Sequence, residues 1–436
     1  MKKSILSSTY SVKVKHYNHI FKDTIVIFRR VVDFLINVCI NEWDDLFAMS
    51  STDEQNNHIE RLIHATKHNP MPKYVEFDKL FYKLPSYYRR SAASSAIAIV
   101  KSCKNSFKKK APTAEHVYPR MYRKEMYART DMYNAKIKVF IRNTWDWISV
   151  KLRKSDIDYI NRHCKDRKEC APVLQKRGKE WFLDFCFEES YELNKTDIFD
   201  QTVVAVDLGI NTAATISVMR SDGTILDRHF CKLTKETDSL THSLNRIKKA
   251  QQQGNRRMPR LWAKAKGINH DISIKTARYI MDIAEIYNAD VIVFEYLDTA
   301  GKKRGFKKQK LHMWRKQEVQ EIVTHKAHRA GIRISHVCAW GTSKLAFDGS
   351  GVVSRGKAGG FNTYEICRFS NGKIYNCDLS ASYNIGARYF IREITKSLCE
   401  STRLVLEAKV PQVTKRSTST FATLINLNNE LMAVGA

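Results

Sequence analysis

VVAVDLGIN, from Val203 to Asn211, is the stretch that decides the fold of this chain. Residues 202–206 form a nearly continuous apolar run, which is typical of a strand buried on both faces of a sheet. The run ends at Asp207, and Gly209 allows a sharp turn directly after it. The stretch therefore predicts a central strand that delivers a carboxylate to the edge of a sheet.

Further strands and helices surround that central strand. Strand patterns recur at 213–218, 224–231, 290–294 and 332–337, and helical patterns at 272–287 and 312–329. Three strands, a helix, a strand, a helix and a strand predict an α/β layer fold with one central sheet. The stretch 341–376 is rich in Gly, Ser and Lys and indicates an insertion, and the tail from Glu400 onward carries no recognisable site.

Three acids lie at the ends of predicted elements. Asp207 ends the first strand, Glu295 ends the strand in DVIVFEYLD, and Asp378 opens the expected last helix in NCDLSASYNIGARY. The fold would bring them to one sheet edge, where carboxylates repel each other unless cations join them. Two magnesium ions fit an all-oxygen site and would promote phosphodiester displacement. Taken alone, Asp207 is equally compatible with a helix cap or a turn.

The charge of the chain indicates a polyanionic partner. The 436 residues include 74 Lys and Arg against 45 Asp and Glu, a net charge of +29. Nucleic acid is the expected partner, because each neutralised phosphate releases counterions, and the alternative is a basic but inert surface. The candidate nucleic-acid-binding residues are Lys108, Lys109, Lys110, Lys248, Lys249, Arg256, Arg257, Arg260, Lys264, Lys302, Lys303, Arg304, Lys307 and Lys308.

Membrane and disulfide classes fit the sequence poorly. No stretch approaches the roughly 20 apolar residues of a spanning helix, and the first residues lack the apolar core of a signal peptide. Ten cysteines are scattered along the chain without a CxxC pair, which is typical of buried thiols in a reducing compartment. We therefore expect a cytoplasmic protein.

The N-terminal half has a different organisation. Residues 10–15 alternate like a strand, and helical patterns follow at 23–49 and from Pro85 to about residue 112. Strand patterns return between 118 and 189, with a hairpin around 176–179. This order predicts a small β-domain interrupted by helices. His270 and the tryptophans Trp145, Trp147 and Trp181 are interpreted as packing residues rather than substrate contacts.

At residues 200–390 the sequence resembles the TnpB (OrfB) proteins of insertion sequences and the miniature type V CRISPR nucleases. Asp207-Leu208-Gly209 resembles the first RuvC motif of that family, and Glu295 in VIVFEYL the second. The run Asp378–Ile385 resembles the third motif, D-x-N-A-A-x-N-I, with Ser380 and Ser382 in place of the usual Asn and Ala. Gly341–Lys344 (GTSK) resembles the stretch before the family's insertion.

The resemblance implies a fold and a set of domains. It implies an RNase H-like (RuvC) catalytic domain at 199–399 with an insertion at about 341–376, followed by a tail at 400–436. It also implies a β-barrel-like wedge domain built from 1–20 and 113–198, with an α-helical recognition domain inserted at 21–112. These N-terminal parts would hold a guide RNA and its heteroduplex with target DNA, while base pairing reads the sequence.

The function that the resemblance implies is RNA-guided cleavage of DNA by a magnesium-dependent RuvC site. Asp207, Glu295 and Asp378 would be both the catalytic residues and the metal ligands. Whether the chain is a transposon-encoded TnpB or a small CRISPR effector stays open, as does its oligomeric state. Two other functions also stay open: an RNA-guided DNA-binding regulator that does not cut, and a strand-transfer transposase.

The chain departs from the family at its structural zinc site. Many relatives carry two CxxC pairs between the second and third RuvC motifs, and four thiolates at this spacing hold a zinc ion. The corresponding positions here are Ala346, Gly349, Cys367 and Ser370, so one of the four ligands remains. A rearranged site would need His336, Cys338, Cys367 and Cys377. We predict no structural zinc and expect the insertion to be a short hairpin or a mobile loop.

Overall fold

Residues 3–15, 20–104, 111–296 and 315–435 are described by the computed structural model. The chain divides into two units, one from Ile5 to Glu189 and one that comprises Ser190–Ala436 with the first four residues. No helix in the described ranges is long and apolar enough to cross a membrane.

The N-terminal unit is built on a seven-stranded sheet. Its strand order is β2-β3-β4-β1-β7-β5, and β6 pairs with the part of β7 that does not pair with β5. The strands are β1 (Lys3–Lys15), β2 (Tyr127–Arg129), β3 (Asn134–Ile141), β4 (Thr144–Leu152), β5 (Lys168–Glu169), β6 (Val173–Arg177) and β7 (Glu180–Glu192). The helices are α1 (Ile20–Asn41), α2 (Trp43–Ala48), α3 (Thr52–Ile63), α4 (Glu76–Leu80), α5 (Ser86–Lys104) and α6 (Lys154–His163).

Helices α1 and α5 form the helical core of this unit. Phe28 and Val32 on α1 are fully buried, as are Ala92 and Ala96 on α5. The small side chains of α5 allow the α1 backbone to approach closely, which is the packing that a run of alanines favours. The helix predicted at 23–49 is divided into α1 and α2, while the hairpin predicted around 176–179 is confirmed by the pairing of β6 with β7.

The C-terminal unit contains a five-stranded sheet. The strands are β8 (Thr202–Asp207), β9 (Ala214–Arg220), β10 (Ile225–Cys231), β11 (Val291–Tyr296) and β12 (Arg333–Cys338), in the order β10-β9-β8-β11-β12. The pairs β10/β9 and β9/β8 are antiparallel, whereas β11 runs parallel to both β8 and β12. The predicted α/β layer with one central sheet is thus confirmed in outline.

Helices cover both faces of this sheet. They are α7 (Thr234–Gln252), α8 (Pro259–Ile286), α9 (Lys316–Arg329), α10 (Cys377–Ser397), α11 (Glu400–Lys409) and α12 (Phe421–Gly435). Val204 and Ile292 point to a core shared with α8 and α9, whereas Val203 and Val291 point to a core shared with α10 to α12. Because side chains alternate along a strand, each strand contributes to both cores.

A glycine lets α10 lie close to the sheet. A Cβ atom placed on Gly386 would lie 2.0 Å from Sδ of Met219 on β9 and 3.1 Å from Cβ of Ala205 on β8. Both distances are shorter than a normal carbon contact of roughly 3.5–4.0 Å. The helix α10, which carries Asp378 in its first turn, can therefore lie this close to the sheet only because residue 386 is a glycine.

The C-terminal tail is the largest departure from the sequence-based prediction. The sequence showed no recognisable site in residues 400–436, and the helix at Asp378 was expected to be the last. Instead α11 and α12 follow α10, and Leu424 and Leu427 on α12 are fully buried in the core against α10. The tail is an integral layer of the C-terminal unit, because it covers apolar surface that α10 would otherwise expose.

A candidate metal centre at the ends of β8 and β11

Two of the candidate acids lie on neighbouring parallel strands. Asp207 is the last residue of β8, and Glu295 is the fifth residue of β11. Val206 pairs with Phe294, so the next position along each strand is Asp207 and Glu295 respectively. Strand alternation places both acids on the face that α10 covers, because Val203 and Val291 also face α10.

The third acid lies at the start of α10. Asp378 is the second residue of that helix, and the Asn376 side chain caps it by accepting a 2.9 Å hydrogen bond from the Leu379 amide. Asparagine is favoured at this position because its side chain satisfies an amide that has no partner within the helix. The cap fixes where α10 begins, and with it the position of Asp378.

The ionisation of these carboxyls shows that they interact. Burial raises the pKa of Asp207 well above its usual range, and the nearby carboxylates of Glu295 and Asp378 raise it further. Burial also raises the pKa of Glu295 and of Asp378. The Arg355 guanidinium opposes the increase at Asp207 and at Asp378. The positive charges of Arg388 and Lys316 oppose the increase at Glu295. The site thus concentrates negative charge where water is scarce, and nearby cations partly balance it.

These acids fit a hard divalent cation by their chemistry. All three supply carboxylate oxygens, the ligand type that Mg²⁺ prefers, and a cation would relieve the repulsion that raises the pKa of Asp207. In the described part of the chain, however, no three His, Cys, Asp or Glu side chains converge as a complete ligand set. Substrate oxygens and water, which commonly complete magnesium coordination, would have to supply the remaining ligands.

Comparison with known proteins gives a sequence relative and several distant structural neighbours. Residues 8–141 match the family described as Aq_aa04, which covers part of the N-terminal unit. The chain is 24% identical over 254 residues to the TnpB-like protein aq_aa05 of Aquifex aeolicus (strain VF5), covering 54% of this chain and 82% of that protein. The chain is related to the TnpB-like proteins.

The solved structures that resemble this chain do so weakly. A Cas12f1–sgRNA–target DNA complex has 13% identity and a TM-score of 0.35, over 87% of this chain and 98% of that one. Alicyclobacillus acidoterrestris C2c1 with single-guide RNA has 9% identity and a TM-score of 0.40, over 86% of this chain and 69% of that one. At these scores neither structure defines the fold of the chain.

The basic residues predicted to contact nucleic acid fall into described and undescribed groups. Helices α7 and α8 and the turn between them, residues 234–286, are called here the α7–α8 hairpin. It carries six of the predicted residues, all exposed: Lys248, Lys249, Arg256, Arg257, Arg260 and Lys264. The others lie outside the described residues: Lys108, Lys109, Lys110, Lys302, Lys303, Arg304, Lys307 and Lys308.

The α7–α8 hairpin has its own small core. Leu244 and Ile247 on α7 pack against Ala265 on α8, with Trp262 partly buried beside them. Trp262 is therefore a packing residue, and the cations project from a defined scaffold. His270 on α8 contacts Glu318 on α9, with 2.8 Å between Nδ1 and Oε1, which agrees with the packing role expected for this histidine.

The insertion is more ordered than the expected hairpin or mobile loop. It contains a three-stranded sheet of β13 (Ser354–Arg355), β14 (Ile366–Arg368) and β15 (Ile374–Asn376). Two of the family's zinc positions, Ala346 and Cys367, are buried with Phe369 and Cys377 in one apolar cluster. A hydrogen bond from the Cys377 thiol lowers the pKa of Cys367. Ring contacts of Phe347 with Phe369, Tyr375 and Tyr383 extend this cluster to α10.

Sequence reasoning missed two residues that the structure places at the acids. Arg355 on β13 lowers the pKa of both Asp207 and Asp378 by its positive charge, and it was not among the predicted site residues. Thr342 donates a hydrogen bond to the Glu295 carboxylate. It lies in the GTSK stretch that follows β12, so its place just after a parallel strand end was the available signal.

Proposed function

We propose that the C-terminal unit is an RNase H-like, RuvC-type domain that hydrolyses DNA phosphodiester bonds. The observation that carries this proposal is the placement of Asp207 and Glu295 on neighbouring parallel strands, with Asp378 at the start of α10. The carboxylates of Glu295 and Asp378 raise the pKa of Asp207, which indicates that the three lie near one another. The strand order β10-β9-β8-β11-β12, with three antiparallel strands followed by two parallel ones, supports the RNase H-like assignment.

In this proposal Asp207, Glu295 and Asp378 hold two magnesium ions. When bound, such ions generate a hydroxide nucleophile and stabilise the charge that develops at the phosphate. Asp207 lies near both other acids, because the charges of Glu295 and Asp378 both raise its pKa. Arg355 contributes positive charge on the insertion side, which favours the approach of a phosphate to an acidic site.

The cations of the α7–α8 hairpin then bind the nucleic-acid backbone near this domain. Exposed Lys and Arg side chains neutralise phosphates without reading sequence, and each contact adds affinity by releasing counterions. The net charge of +29 is large enough to require a polyanion for compact packing. Sequence selection is therefore assigned to a bound RNA that pairs with the DNA.

The N-terminal unit is proposed to hold that guide RNA. Its sheet would be the wedge domain predicted at 1–20 and 113–198, and helices α1 to α5 would be the recognition domain predicted at 21–112. The sequence relationship to a TnpB-like protein supports this assignment. The proposal covers transposon-encoded TnpB proteins and small type V effectors alike, and it includes a cytoplasmic location.

One cleavage assay separates the proposal from its alternatives. The purified full chain, reconstituted with the RNA that co-purifies with it, is incubated with a matching plasmid and magnesium. We expect cut plasmid from the wild type, and binding without cutting from Asp207→Asn, Glu295→Gln and Asp378→Asn. Binding without cutting by the wild type would identify a regulator, and joined products would identify a strand-transfer transposase. Specific cutting by RNA-free protein would refute the role of the guide.

A further inference from the structure

The Thr342 hydroxyl forms a hydrogen bond with the buried carboxylate of Glu295. Glu295 is 8% exposed and Thr342 is 2% exposed. The Thr342 hydroxyl donates to Oε1 of Glu295, and its Oγ1 also lies 3.0 Å from the Ala339 carbonyl oxygen. A single hydroxyl proton serves one acceptor at a time, and hydrogen bonds to a charged acceptor are the stronger ones. The carboxylate is thus the favoured partner when Glu295 is ionised.

This contact constrains how Glu295 can bind a cation. A hydrogen bond to Oε1 restricts rotation of the carboxylate and leaves Oε2 outside the contact with Thr342. Thr342 is β-branched, so its own side chain has few rotamers. Partners of this kind, one step away from a metal, orient the ligand that binds it.

The loop that carries Thr342 is in turn fixed by α10. Asn384 is fully buried, and its Nδ2 donates to the carbonyl oxygens of Thr342 and Leu345, both at 2.9 Å. The same side chain accepts a 3.0 Å hydrogen bond from the Phe421 amide at the start of α12. One asparagine therefore joins the loop, α10 and the C-terminal helix, and satisfies backbone groups that would otherwise be buried without partners.

Arg388, one turn further along α10, joins the residues just before Thr342 to the segment 417–419. It is 4% exposed, and its Nη1 donates to the carbonyl oxygens of Cys338 at 2.6 Å and Trp340 at 2.9 Å. Its Nη2 donates to Ser417 at 2.7 Å and its Nε to Ser419 at 3.0 Å. A guanidinium has five donors in a rigid plane, so this one residue sets the spacing of two separate segments.

We propose that Thr342 is a positioning residue for Glu295, and that Asn384 and Arg388 fix Thr342 from the helix that carries Asp378. The arrangement makes the second and third acids parts of one rigid assembly, because α10 supplies Asp378 directly and sets the orientation of Glu295 through Thr342. This inference rests on the proposed function, since positioning matters only if Glu295 binds a cation for catalysis.

The test compares Thr342→Val, which removes the hydroxyl at nearly constant shape, with Thr342→Ser, which keeps it. Thr324→Val is the matched control, because the Thr324 hydroxyl on α9 donates only to the Gln320 carbonyl at 2.7 Å. Loss of such an outer partner costs roughly 10- to 100-fold in metal affinity or activity. We expect Thr342→Val to lower kcat and raise the magnesium concentration for half-maximal cutting, with KM for guided DNA unchanged, and Thr342→Ser to restore both.

Manganese binding to the full chain without nucleic acid, measured by electron paramagnetic resonance, gives an independent readout. Weaker binding by Thr342→Val but not by Thr324→Val supports the inference even if the wild type cuts no DNA, in which case only the proposed function fails. Wild-type manganese affinity and magnesium dependence in Thr342→Val would overturn the inference while leaving the nuclease proposal standing. Equal damage in Thr342→Ser would also overturn it, because the hydroxyl would not then be the cause.

Discussion

Replacing Gly386 with alanine should destabilise the C-terminal unit, although alanine is the better helix former. Alanine in place of glycine gains about 1 kcal/mol in a helix interior. At this position the new methyl would lie 2.0 Å from Met219 Sδ and 3.1 Å from Ala205 Cβ. Both neighbours are fully buried, so neither can move into solvent.

The steric cost of the new methyl group exceeds the gain in helix propensity. Relieving the contact requires Met219 or α10 to move by well over ~1 Å, since non-bonded heavy atoms rest roughly 3.5–4.0 Å apart. Overpacking a closed core costs about 1–3 kcal/mol and occasionally more. A methyl placed 2.0 Å from a buried sulfur puts this site in the upper part of that range, about 2–3 kcal/mol. After the helix gain of about 1 kcal/mol, we expect a net loss of about 1–2 kcal/mol in the free energy of unfolding. For a unit of this size, that corresponds to a fall in Tm of roughly 2–8 °C.

Gly267 provides the matched control. It lies on α8, it is exposed, and a Cβ placed there meets no atom within 4 Å. Gly267→Ala should therefore keep the helix gain of about 0.5–1 kcal/mol and raise Tm. Calorimetry of the full-length variants measures both. The reasoning is refuted if Gly386→Ala unfolds at or above the wild-type temperature while Gly267→Ala is stabilised.

Three further predictions concern charge and metal. Because burial and neighbouring carboxylates raise the pKa of Asp207, its ionisation destabilises the metal-free fold. Asp207→Asn should therefore have the same free energy of unfolding as the wild type at low pH and a larger one as pH rises through that pKa. Denaturant titrations over a pH series measure this difference, and a difference that became smaller with rising pH would contradict the prediction. Removing Arg260 and Lys264 together should reduce the salt slope of nucleic-acid binding by about 1 per lost phosphate contact, whereas Lys409→Ala, which removes a cation paired with Glu430 at 2.8 Å, should leave the slope unchanged. Elemental analysis should find less than one zinc per chain, and stoichiometric zinc that resists mild chelation would disprove the prediction that the insertion folds without it.

Sequence patterns predicted the central layer of the C-terminal unit because burial on two faces leaves a clear signature. The apolar runs that end at Asp207 and Glu295 could be read as parallel strands, and parallel strands share one edge for their carboxyl ends. The distance between those acids and Asp378 could not be obtained this way. It depends on how α10 crosses the sheet, and that crossing depends on the local fit of Gly386 against Met219.

The elements that sequence reading missed lack such a signature. Helix α6 spans only ten residues and buries two apolar side chains, Ile157 and Ile160, so it offers a short segment from which to recognise a helix. Helix α12 contains few charged residues, and its buried side chains pack against parts of the chain that are distant in sequence. The hydrogen bond from Thr342 to Glu295 joins residues 47 positions apart. No local pattern encodes such a contact, because it exists only after both strands and α10 have assembled.

Arg388 and Asn384 form hydrogen bonds with residues 417–421, and this has a consequence for folding during synthesis. All three acids and Thr342 precede those residues in the chain and are translated first, yet the carbonyls of Ser417 and Ser419 and the amide of Phe421 complete the hydrogen bonding of the two buried side chains. A nascent chain that ends before residue 417 therefore leaves a buried guanidinium partly unsatisfied beside the loop that carries Thr342. The loop that holds Thr342 against Glu295 reaches its full set of hydrogen bonds only once residues 417–421 are present.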